Sequence, residues 1–154
     1  MTPGDIPDNQ VFVAYTPPGA NYSIKVPEGW ARTTNGSAVT FTDKYNSVEA
    51  SSHPSTTRPT VTSVKSADLS DVSKDPDFHL GKVTTITRKS GPGVRATYTI
   101  GSAPNPVTAK KALLAVERYV FNRSGTTVVL TLSGAKGADN VDPWRTVSDS
   151  LTWK

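Results

Sequence analysis

The chain of 154 residues has the size of one domain, and the Ser, Thr, Pro and Gly that accompany its low apolar content of 35% favour strands and turns over a helical bundle. The absence of cysteine excludes disulfides, thiolate metal sites and cysteine nucleophiles. The net charge of +4 is spread along the chain, which predicts no nucleic-acid partner, and no apolar run approaches the ~18 residues of a membrane span.

Residues 1–9 are predicted to be a flexible N-terminal lead, and residues 10–154 a single domain. The lead is polar and contains proline, which is typical of a tether between a membrane anchor and a domain. A frayed native terminus is the alternative. Whether a signal peptide or an anchor precedes Met1 stays open, because Met1 is also compatible with a start codon fused to a trimmed export product.

The first part of the domain predicts short strands joined by turns. Residues 22–26 alternate apolar and polar side chains, which is typical of a half-buried strand, and Pro27 ends this strand before Trp30. Asn35-Gly36 is a tight-turn signal between neighbouring strands. The predicted strands of this part are 10–15, 22–26, 38–42 and 46–52.

A loop and a short helix are predicted in the middle of the chain. Residues 54–65 are rich in Pro, Ser and Thr, which indicates a loop. The helix is expected over residues 66–74, with Ser66 as its N-cap and acidic residues in its early turns. Asp75-Pro76 then ends it.

Two β-hairpins are predicted in the second half. Residues 82–89 and 94–100 are joined by a Gly- and Pro-containing turn, and both alternate in polarity. Residues 113–121 form the longest apolar run and are expected at the sheet centre, beside residues 126–133. Hairpin connections imply an antiparallel sheet.

A closing helix is predicted after Asp139 or Asn140. Trp144, Val147 and Leu151 are spaced by three and four residues, which gives the helix one apolar face. That face requires an apolar surface, and the sheet supplies it. The predicted fold class is therefore α+β, an antiparallel β-sheet with helices packed on its faces.

Three segments carry a resemblance to a known family. They are YSIKVPEGW at 22–30, VERYVF at 116–121 with GTTVVLTLSG at 125–134, and VDPWRTVSDSLTW at 141–153. These segments resemble the early strand, the late hairpin and the closing helix of the PsbP-like family, named for an extrinsic subunit of photosystem II. The resemblance implies an antiparallel sheet with helices on its faces, a fold that a Ran-binding nuclear import factor shares.

The resemblance also bears on function. It implies kinship with secreted or lipoprotein-like bacterial members of the family, and family members mostly act as binding or assembly modules. The long N-terminal region of the plant photosystem subunit is not identifiable here, so a photosystem role is not expected. The family's link to divalent metals leaves a metal-binding alternative open. Fold analogy by itself assigns no function.

The two histidines, His53 and His79, are the candidates for a metal pair. Such a pair requires them to lie together with help from a carboxylate. Asp71, Asp75 and Asp77 are closely spaced, but the run lacks the glycine and the terminal glutamate of a calcium loop. The sequence therefore predicts no metal site and no cofactor.

No motif of an active site is visible. Serines are plentiful, but none lies in a Gly-x-Ser-x-Gly elbow, and Gly91-Pro92-Gly93 lacks the lysine of a phosphate loop. Glu117 lies in an apolar strand, where pairing with Arg118 or Lys111 is the expected arrangement. The chain is predicted not to be an enzyme, and no catalytic residue is assigned.

The aromatic residues divide into core and surface candidates. The tryptophans are expected in the core, with a ligand cleft as the alternative, and three tyrosines near turns are expected to form a surface patch. The tryptophans are Trp30, Trp144 and Trp153, and the tyrosines are Tyr15, Tyr22 and Tyr45.

These observations predict a non-catalytic, extracytoplasmic bacterial module, secreted or membrane-anchored, that binds a protein or a cell-envelope component. The expected binding surface is the solvent face of the sheet, or the loops at 54–65 and 101–110. The alternative is a module that binds a small ligand or a divalent metal in a cleft between sheet and helix.

Overall fold

A computed structural model describes residues 5–102 and 107–154 as a fold built mainly of strands. The strands are β1 (Phe12–Tyr15), β2 (Tyr22–Pro27), β3 (Ala31–Asn35), β4 (Ala38–Asp43), β5 (Asn46–Pro54), β6 (His79–Arg88), β7 (Gly91–Gly101), β8 (Leu113–Arg123), β9 (Thr126–Ala135) and β10 (Thr152–Trp153). The helices are α1 (Val61–Ser63), which continues as the π-helical turn Val64–Asp68, and α2 (Val141–Asp149). No helix within the described residues has the length and apolar character to cross a bilayer, which takes about 20 apolar residues.

Seven strands form one antiparallel sheet in the order β3-β4-β5-β9-β8-β7-β6. Both predicted hairpins are present, because β6 pairs with β7 and β8 pairs with β9. A smaller antiparallel sheet has the order β1-β2-β10. The predicted fold class is confirmed, with strands far outweighing helices. The sequence does not predict β3, because all of its residues are exposed and no apolar alternation marks it.

One face of the large sheet, the α2 face, is covered by the small sheet and by α2. Trp144 and Val147 of α2 are at most 5% exposed, which confirms the apolar face predicted for the closing helix, and Leu151, just beyond the end of α2, is buried with them. Tyr22 and Ile24 of β2 are buried in the same core. The large sheet contributes Val39, Phe41, Val48, Ala50, Tyr119, Phe121, Val128, Leu130 and Leu132 to this core.

The opposite face, the α1 face, is covered by the segment that contains α1. Val64 and Leu69 are buried in a second cluster with side chains of β7 and β8. These strands contribute Val94, Ala96, Tyr98, Val116 and Val120. The large sheet is therefore covered on both sides, but by different elements.

The helical segment on this face begins earlier than the sequence predicts. Thr60 Oγ1 accepts from the Ser63 N–H at 3.0 Å, and Ser63 Oγ accepts from the Thr60 N–H at 2.9 Å. This reciprocal capping box starts the helix directly after Thr60, so the prediction of Ser66 as the N-cap of a helix over residues 66–74 is wrong. Ser66 lies inside the segment, and its hydroxyl donates to the Thr62 carbonyl oxygen at 2.9 Å.

The N-terminal segment joins the domain before residue 10. Ile6 is 4% exposed within the α2-face core, and its N–H donates to Asn140 Oδ1 at 2.9 Å. The Asp5 carboxylate accepts from the Asp139 N–H at 2.8 Å. The lead predicted over residues 1–9 is therefore corrected at these two positions, because an apolar side chain within it reaches the core. Residues 1–4 lie outside the described part of the chain.

Three buried tyrosines are expected to lower stability at alkaline pH. Burial raises the pKa of Tyr22 to about 12, and it also raises the pKa of Tyr98 and of Tyr119. As the pH rises, the phenols of the unfolded chain lose their protons before those of the folded chain. The stability that the protonated tyrosines contribute is therefore full below the ordinary pKa of 10.0, and it is lost as the pH rises through the pKa of the folded state. The urea midpoint, followed by circular dichroism, should fall over that pH range.

Single substitutions distinguish the contributions of Tyr22 and Tyr119 to stability. The Tyr22 hydroxyl is buried without a hydrogen-bond partner in the described residues, so Tyr22→Phe should leave stability at neutral pH unchanged or raise it by up to about 1 kcal/mol. Tyr22→Phe should also lessen the loss of stability at alkaline pH. Tyr119→Phe is the matched control, and it should lower stability by about 1 kcal/mol because its hydroxyl donates to Glu117 at 2.6 Å. A marked loss in Tyr22→Phe at neutral pH would contradict this assignment.

Candidate functional site

A cleft of about 430 Å³ opens on the α2 face, between the sheet and the N-terminal part of α2. We call it the helix cleft. It lies at the end of the large sheet where β6 and β8 begin and β7 ends. Its walls are formed by His79, Leu80, Gly81, Thr97, Tyr98, Thr99, Ala115, Val116, Glu117, Gly134, Ala135, Ala138, Asn140, Val141 and Trp144. A cleft between sheet and helix is the geometry that the ligand-binding alternative requires.

The position of α2 beside the cleft is fixed by two asparagines and a glycine. Asn140 Nδ2 donates to Asn46 Oδ1 at 3.1 Å, and both side chains are buried. They cross directly over Gly134 of β9, where a Cβ would lie 2.7 Å from each of their amide groups. Glycine therefore allows the helix N-terminus to sit close to the sheet. Because Trp144 lies one turn further on, this contact also sets the width of the cleft.

A hydrogen-bonded chain of side chains leads from the cleft wall towards α2. Glu117 accepts from the Tyr119 hydroxyl at 2.6 Å, and that hydroxyl accepts from Arg88 Nη2 at 3.3 Å. Arg88 Nε also donates to Ser148 Oγ of α2 at 3.1 Å and lies 3.9 Å from the Asp149 carboxylate. The prediction that Glu117 pairs with Arg118 or Lys111 is therefore wrong. Alternation along β8 puts Glu117 and Tyr119 on one face and Arg118 on the other.

The mouth of the helix cleft is apolar, with large side chains that are exposed. Val141, in the first turn of α2, is 69% exposed. Leu113 of β8, two residues before the cleft residue Ala115, is 44% exposed. Alternation along the strand puts Leu113 on the same face as Ala115. Large apolar side chains that cluster at the mouth of a cleft are typical of an interaction surface.

A second cluster of charged groups lies on the α1 face around Arg118, which is 8% exposed. Its Nη1 donates to the Asp68 carbonyl oxygen at 2.5 Å and to Asp71 Oδ1 at 3.3 Å, and its guanidinium lies 5.7 Å from the Tyr98 ring centre. Burial raises the pKa of the Asp68 carboxyl, against the opposing influence of Arg118 and His53. The arginine ties the turn after α1 to β8, which is a structural role.

The two histidines do not come together. His53 lies on β5 and pairs with Thr127, whereas His79 begins β6 and pairs with Thr99. Three strands separate β5 from β6, so the two histidines lie at least about 19 Å apart across the sheet. His79 lines the helix cleft and His53 does not.

The closely spaced aspartates have separate local roles. Asp75 Oδ1 accepts from the Asp77 N–H at 2.7 Å, which is turn chemistry, and Asp71 pairs with Arg118. Within residues 5–102 and 107–154, no three His, Cys, Asp or Glu side chains are arranged to hold a metal ion. Part of the loop predicted as a binding surface at 101–110, residues 103–106, lies outside these ranges.

The aromatic residues divide differently from the prediction. Trp144 is buried, as expected, whereas Trp30 and Trp153 pack against the core and stay partly exposed. Tyr45 is 47% exposed, but Tyr22 is 0% exposed, so its assignment to a surface patch is wrong. Tyr22 is buried because β2 runs between β1 and β10 over the large sheet. Trp144 fits both the predicted core position and the alternative of a ligand cleft, since it belongs to the core and also lines the helix cleft.

Solved structures with a similar fold include two from bacteria and one from yeast. The cyanobacterial PsbP (CyanoP) of Synechocystis is 15% identical, with a TM-score of 0.66, and the match covers 99% of each chain. The Ran-binding protein Mog1p of Saccharomyces cerevisiae is 8% identical, with a TM-score of 0.61, over 94% of this chain and 96% of that one. LpqN of Mycobacterium tuberculosis, which is involved in cell envelope biogenesis, is 15% identical, with a TM-score of 0.54, over 94% and 90%.

These likenesses establish the fold. The chain has the PsbP-like fold that is shared with Mog1p, which confirms the resemblance of the three sequence segments at the level of fold. A longer protein from Bacteroides thetaiotaomicron also matches, and this chain spans 48% of its length. No protein-family model matches the sequence, and no curated protein does. Activities and partners do not transfer with a fold alone.

Proposed function

We propose that this protein is a non-catalytic binding module that acts outside the cytoplasm of a bacterium, as the soluble part of a secreted or membrane-anchored protein. The fold supports this proposal, because LpqN is involved in cell envelope biogenesis and Mog1p binds Ran. The arrangement of the titratable side chains also supports it, because the histidines lie on distant strands and the Glu117 carboxylate is engaged by Tyr119.

The helix cleft is the proposed contact surface, and its occupant is a segment of a partner protein. The observation that carries this is the exposed apolar mouth, with Val141 at 69% exposure beside the Trp144 wall. Glu117 is the acidic side chain among the cleft residues, and no described residue donates to its Oε2. Charge complementarity therefore favours a partner segment that inserts an apolar side chain and carries a basic residue next to it.

A small ligand in the same cleft is the second candidate. A volume of about 430 Å³ falls within the range of known ligand pockets, and a few polar groups lie on largely apolar walls. The two candidates differ in how much surface they cover. A protein partner covers the exposed mouth residues Leu113 and Val141, whereas a small ligand contacts the inner wall at Trp144 and Glu117.

Site-specific photo-cross-linking in the native host tests the proposal. A photoreactive phenylalanine derivative at Val141 should give a discrete protein adduct, recovered in the extracytoplasmic fraction. The matched control is the same group at Val11, which is apolar and 56% exposed on the N-terminal side of β1. Glu117→Gln, which keeps the size of the side chain and removes its charge, should lower the yield of the Val141 adduct severalfold.

Three outcomes would count against the proposal. A protein confined to the cytoplasm contradicts the compartment. Adducts of equal yield from Val141 and Val11 contradict the cleft as the contact surface. No adduct at Val141, together with saturable binding of a small molecule that perturbs Trp144, favours the second candidate.

A further inference from the structure

A second cavity, of about 590 Å³, lies at the opposite end of the large sheet. We call it the loop-end cavity. Three connections converge there: the loop that follows β5, the turn from β6 to β7 and the turn from β8 to β9. The lining residues used below are Arg58, Ser90, Gly93, Phe121, Arg123 and Trp153. None of these residues belongs to the helix cleft.

The charge of this cavity has one sign. Arg58 and Arg123 line it, and it has no acidic lining residue. Both arginines are exposed, and neither forms an ion pair within the described residues. Two unpaired guanidinium groups on one concave surface make a positive potential, and their planar sets of donors suit carboxylate and phosphate oxygens.

The walls of the cavity are held in place by hydrogen bonds. Asn122 Nδ2 donates to the Ser55 carbonyl oxygen at 2.7 Å and to Thr127 Oγ1 at 2.9 Å. The Ser55 N–H donates to the Gly125 carbonyl oxygen at 3.0 Å. These bonds fasten the loop that carries Arg58 to the turn that carries Arg123. A site that is formed before its ligand arrives loses less entropy on binding.

The remaining wall is apolar and partly aromatic. Trp153 is held by the pairing of β10 with β2, opposite Tyr22, and its side chain stays partly exposed. Gly93 lets the Phe121 ring lie against the β7 backbone, since a Cβ there would come within 2.6 Å of the ring. Phe121 is 1% exposed, so the partly exposed Trp153 is the aromatic surface that favours a ring over an extended chain.

We propose that the loop-end cavity binds a small organic oxyanion, a carboxylate or phosphate joined to a planar ring. Arg58 and Arg123 hold the oxyanion, and the ring packs beside Trp153. The inference does not depend on the function proposed for the helix cleft, because the two sites share no residue.

Titrations with four probes test the chemistry. Benzoate and phenyl phosphate supply the oxyanion with a ring, benzamide supplies the ring without charge, and inorganic phosphate supplies the charge without a ring. Binding is followed by amide and indole NMR signals of the intact chain, with the Trp153 signal assigned from Trp153→Phe. Saturable shifts at Ser90, Arg123 and Trp153 are expected with one or both charged aromatic probes. Which of the two binds more tightly distinguishes a carboxylate site from a phosphate site.

Arginine variants test the location. The double variant Arg58→Gln with Arg123→Gln should raise the Kd for the better probe at least tenfold, which is about 1.4 kcal/mol. The matched control, Lys82→Gln with Lys136→Gln, removes two exposed charges outside the cavity and should leave the Kd within twofold. All four side chains are exposed, so both variants are expected to fold, and their far-ultraviolet spectra verify this.

Four results would overturn the inference. They are binding of benzamide as tight as that of benzoate and phenyl phosphate, an unchanged Kd in the arginine variant, shifts confined to residues outside the cavity, and no saturable shift with any probe at millimolar concentration. Binding of inorganic phosphate as tight as that of phenyl phosphate would overturn the role of the ring. None of these results bears on the cross-linking expected from Val141.

Discussion

Trp144→Ala is expected to lower the free energy of unfolding by about 3–5 kcal/mol, the largest loss for any single substitution considered for this protein. Trp144 is 5% exposed and lies in the α2-face core with Val147 and Leu151. Removal of the indole takes away its buried apolar surface and leaves a cavity that the surrounding strands fill only in part. Urea unfolding followed by far-ultraviolet circular dichroism measures the loss without depending on tryptophan fluorescence.

Two matched variants show whether the loss comes from this packing. Trp30→Ala removes the same side chain where it is only partly buried, so it should cost clearly less. Val141→Ala, in the same helix but 69% exposed, should change stability by no more than about 0.5 kcal/mol. A Trp144→Ala loss as small as that of Val141→Ala would mean that α2 does not cover the large sheet, and the helix cleft would then have no outer wall.

Arg118→Ala is expected to cost about 3 kcal/mol at neutral pH. The guanidinium is buried on the α1 face, where it donates to the Asp68 carbonyl oxygen and lies beside the Tyr98 ring. Its loss leaves a carbonyl oxygen and a partly buried carboxylate without their cation. The Asp71 partner contributes little to this figure, because its side chain is 69% exposed. Arg118→Met, which keeps most of the volume, should cost less than Arg118→Ala.

The pH dependence of the loss distinguishes charge from packing. Burial raises the pKa of Asp68 from its ordinary 3.8, and Arg118 opposes that rise. The stability that a carboxyl with a raised pKa contributes is full below its pKa in the unfolded chain, and it is lost as the pH rises through its pKa in the folded protein. Without Arg118 the folded pKa of Asp68 rises further, so the deficit of Arg118→Met should be largest at neutral pH. It should shrink as the pH falls towards 3.8.

Asp68→Asn provides the control for this explanation. It keeps the carbonyl oxygen that accepts from Arg118 and removes only the ionisable group, so it should raise stability at neutral pH. Combined with Asp68→Asn, Arg118→Met should lose its pH dependence, since the carboxyl that responds to the cation is then absent. A deficit of Arg118→Met that is equal at all pH values would instead assign the whole effect of Arg118 to packing.

The hairpins could be predicted because their information is local. Residues 94–100 alternate between apolar and polar side chains, and Val94, Ala96 and Tyr98 are indeed buried together. The apolar spacing of Trp144 and Val147 likewise predicted the buried face of α2, and Leu151 is buried just beyond its end. Periodicity of two or of about 3.6 residues reports which face of an element is buried, and it needs no knowledge of distant residues.

Predictions that depended on neighbours were the ones that failed. Ser66 has the chemistry of an N-cap, but Thr60 and Ser63 form a reciprocal pair that starts the helix sooner. Tyr22 lies near a turn and is polar at its tip, yet β2 lies over the large sheet and is flanked on both sides. Local propensity cannot register a competing cap or a strand that lies on top of another sheet.

The candidate sites show the same division. That Glu117 and Tyr119 share a face of β8 follows from alternation, and so does the separation of Glu117 from Arg118. The contact of Arg88 with both Tyr119 and Ser148 does not follow, because it joins β6, β8 and α2 across long sequence distances. The loop-end cavity is likewise invisible in the sequence, since Arg58, Ser90 and Arg123 come from three separate connections.

The sequence by itself determined the antiparallel hairpins, the apolar face of the closing helix and the absence of cysteine chemistry, because each depends on residue type and short-range spacing. Only the tertiary structure decided where the cavities lie and which charged groups are paired. Strand order places residues that are far apart in sequence at the same end of the sheet, and desolvation acts on a carboxyl or a phenol only once the covering elements have packed.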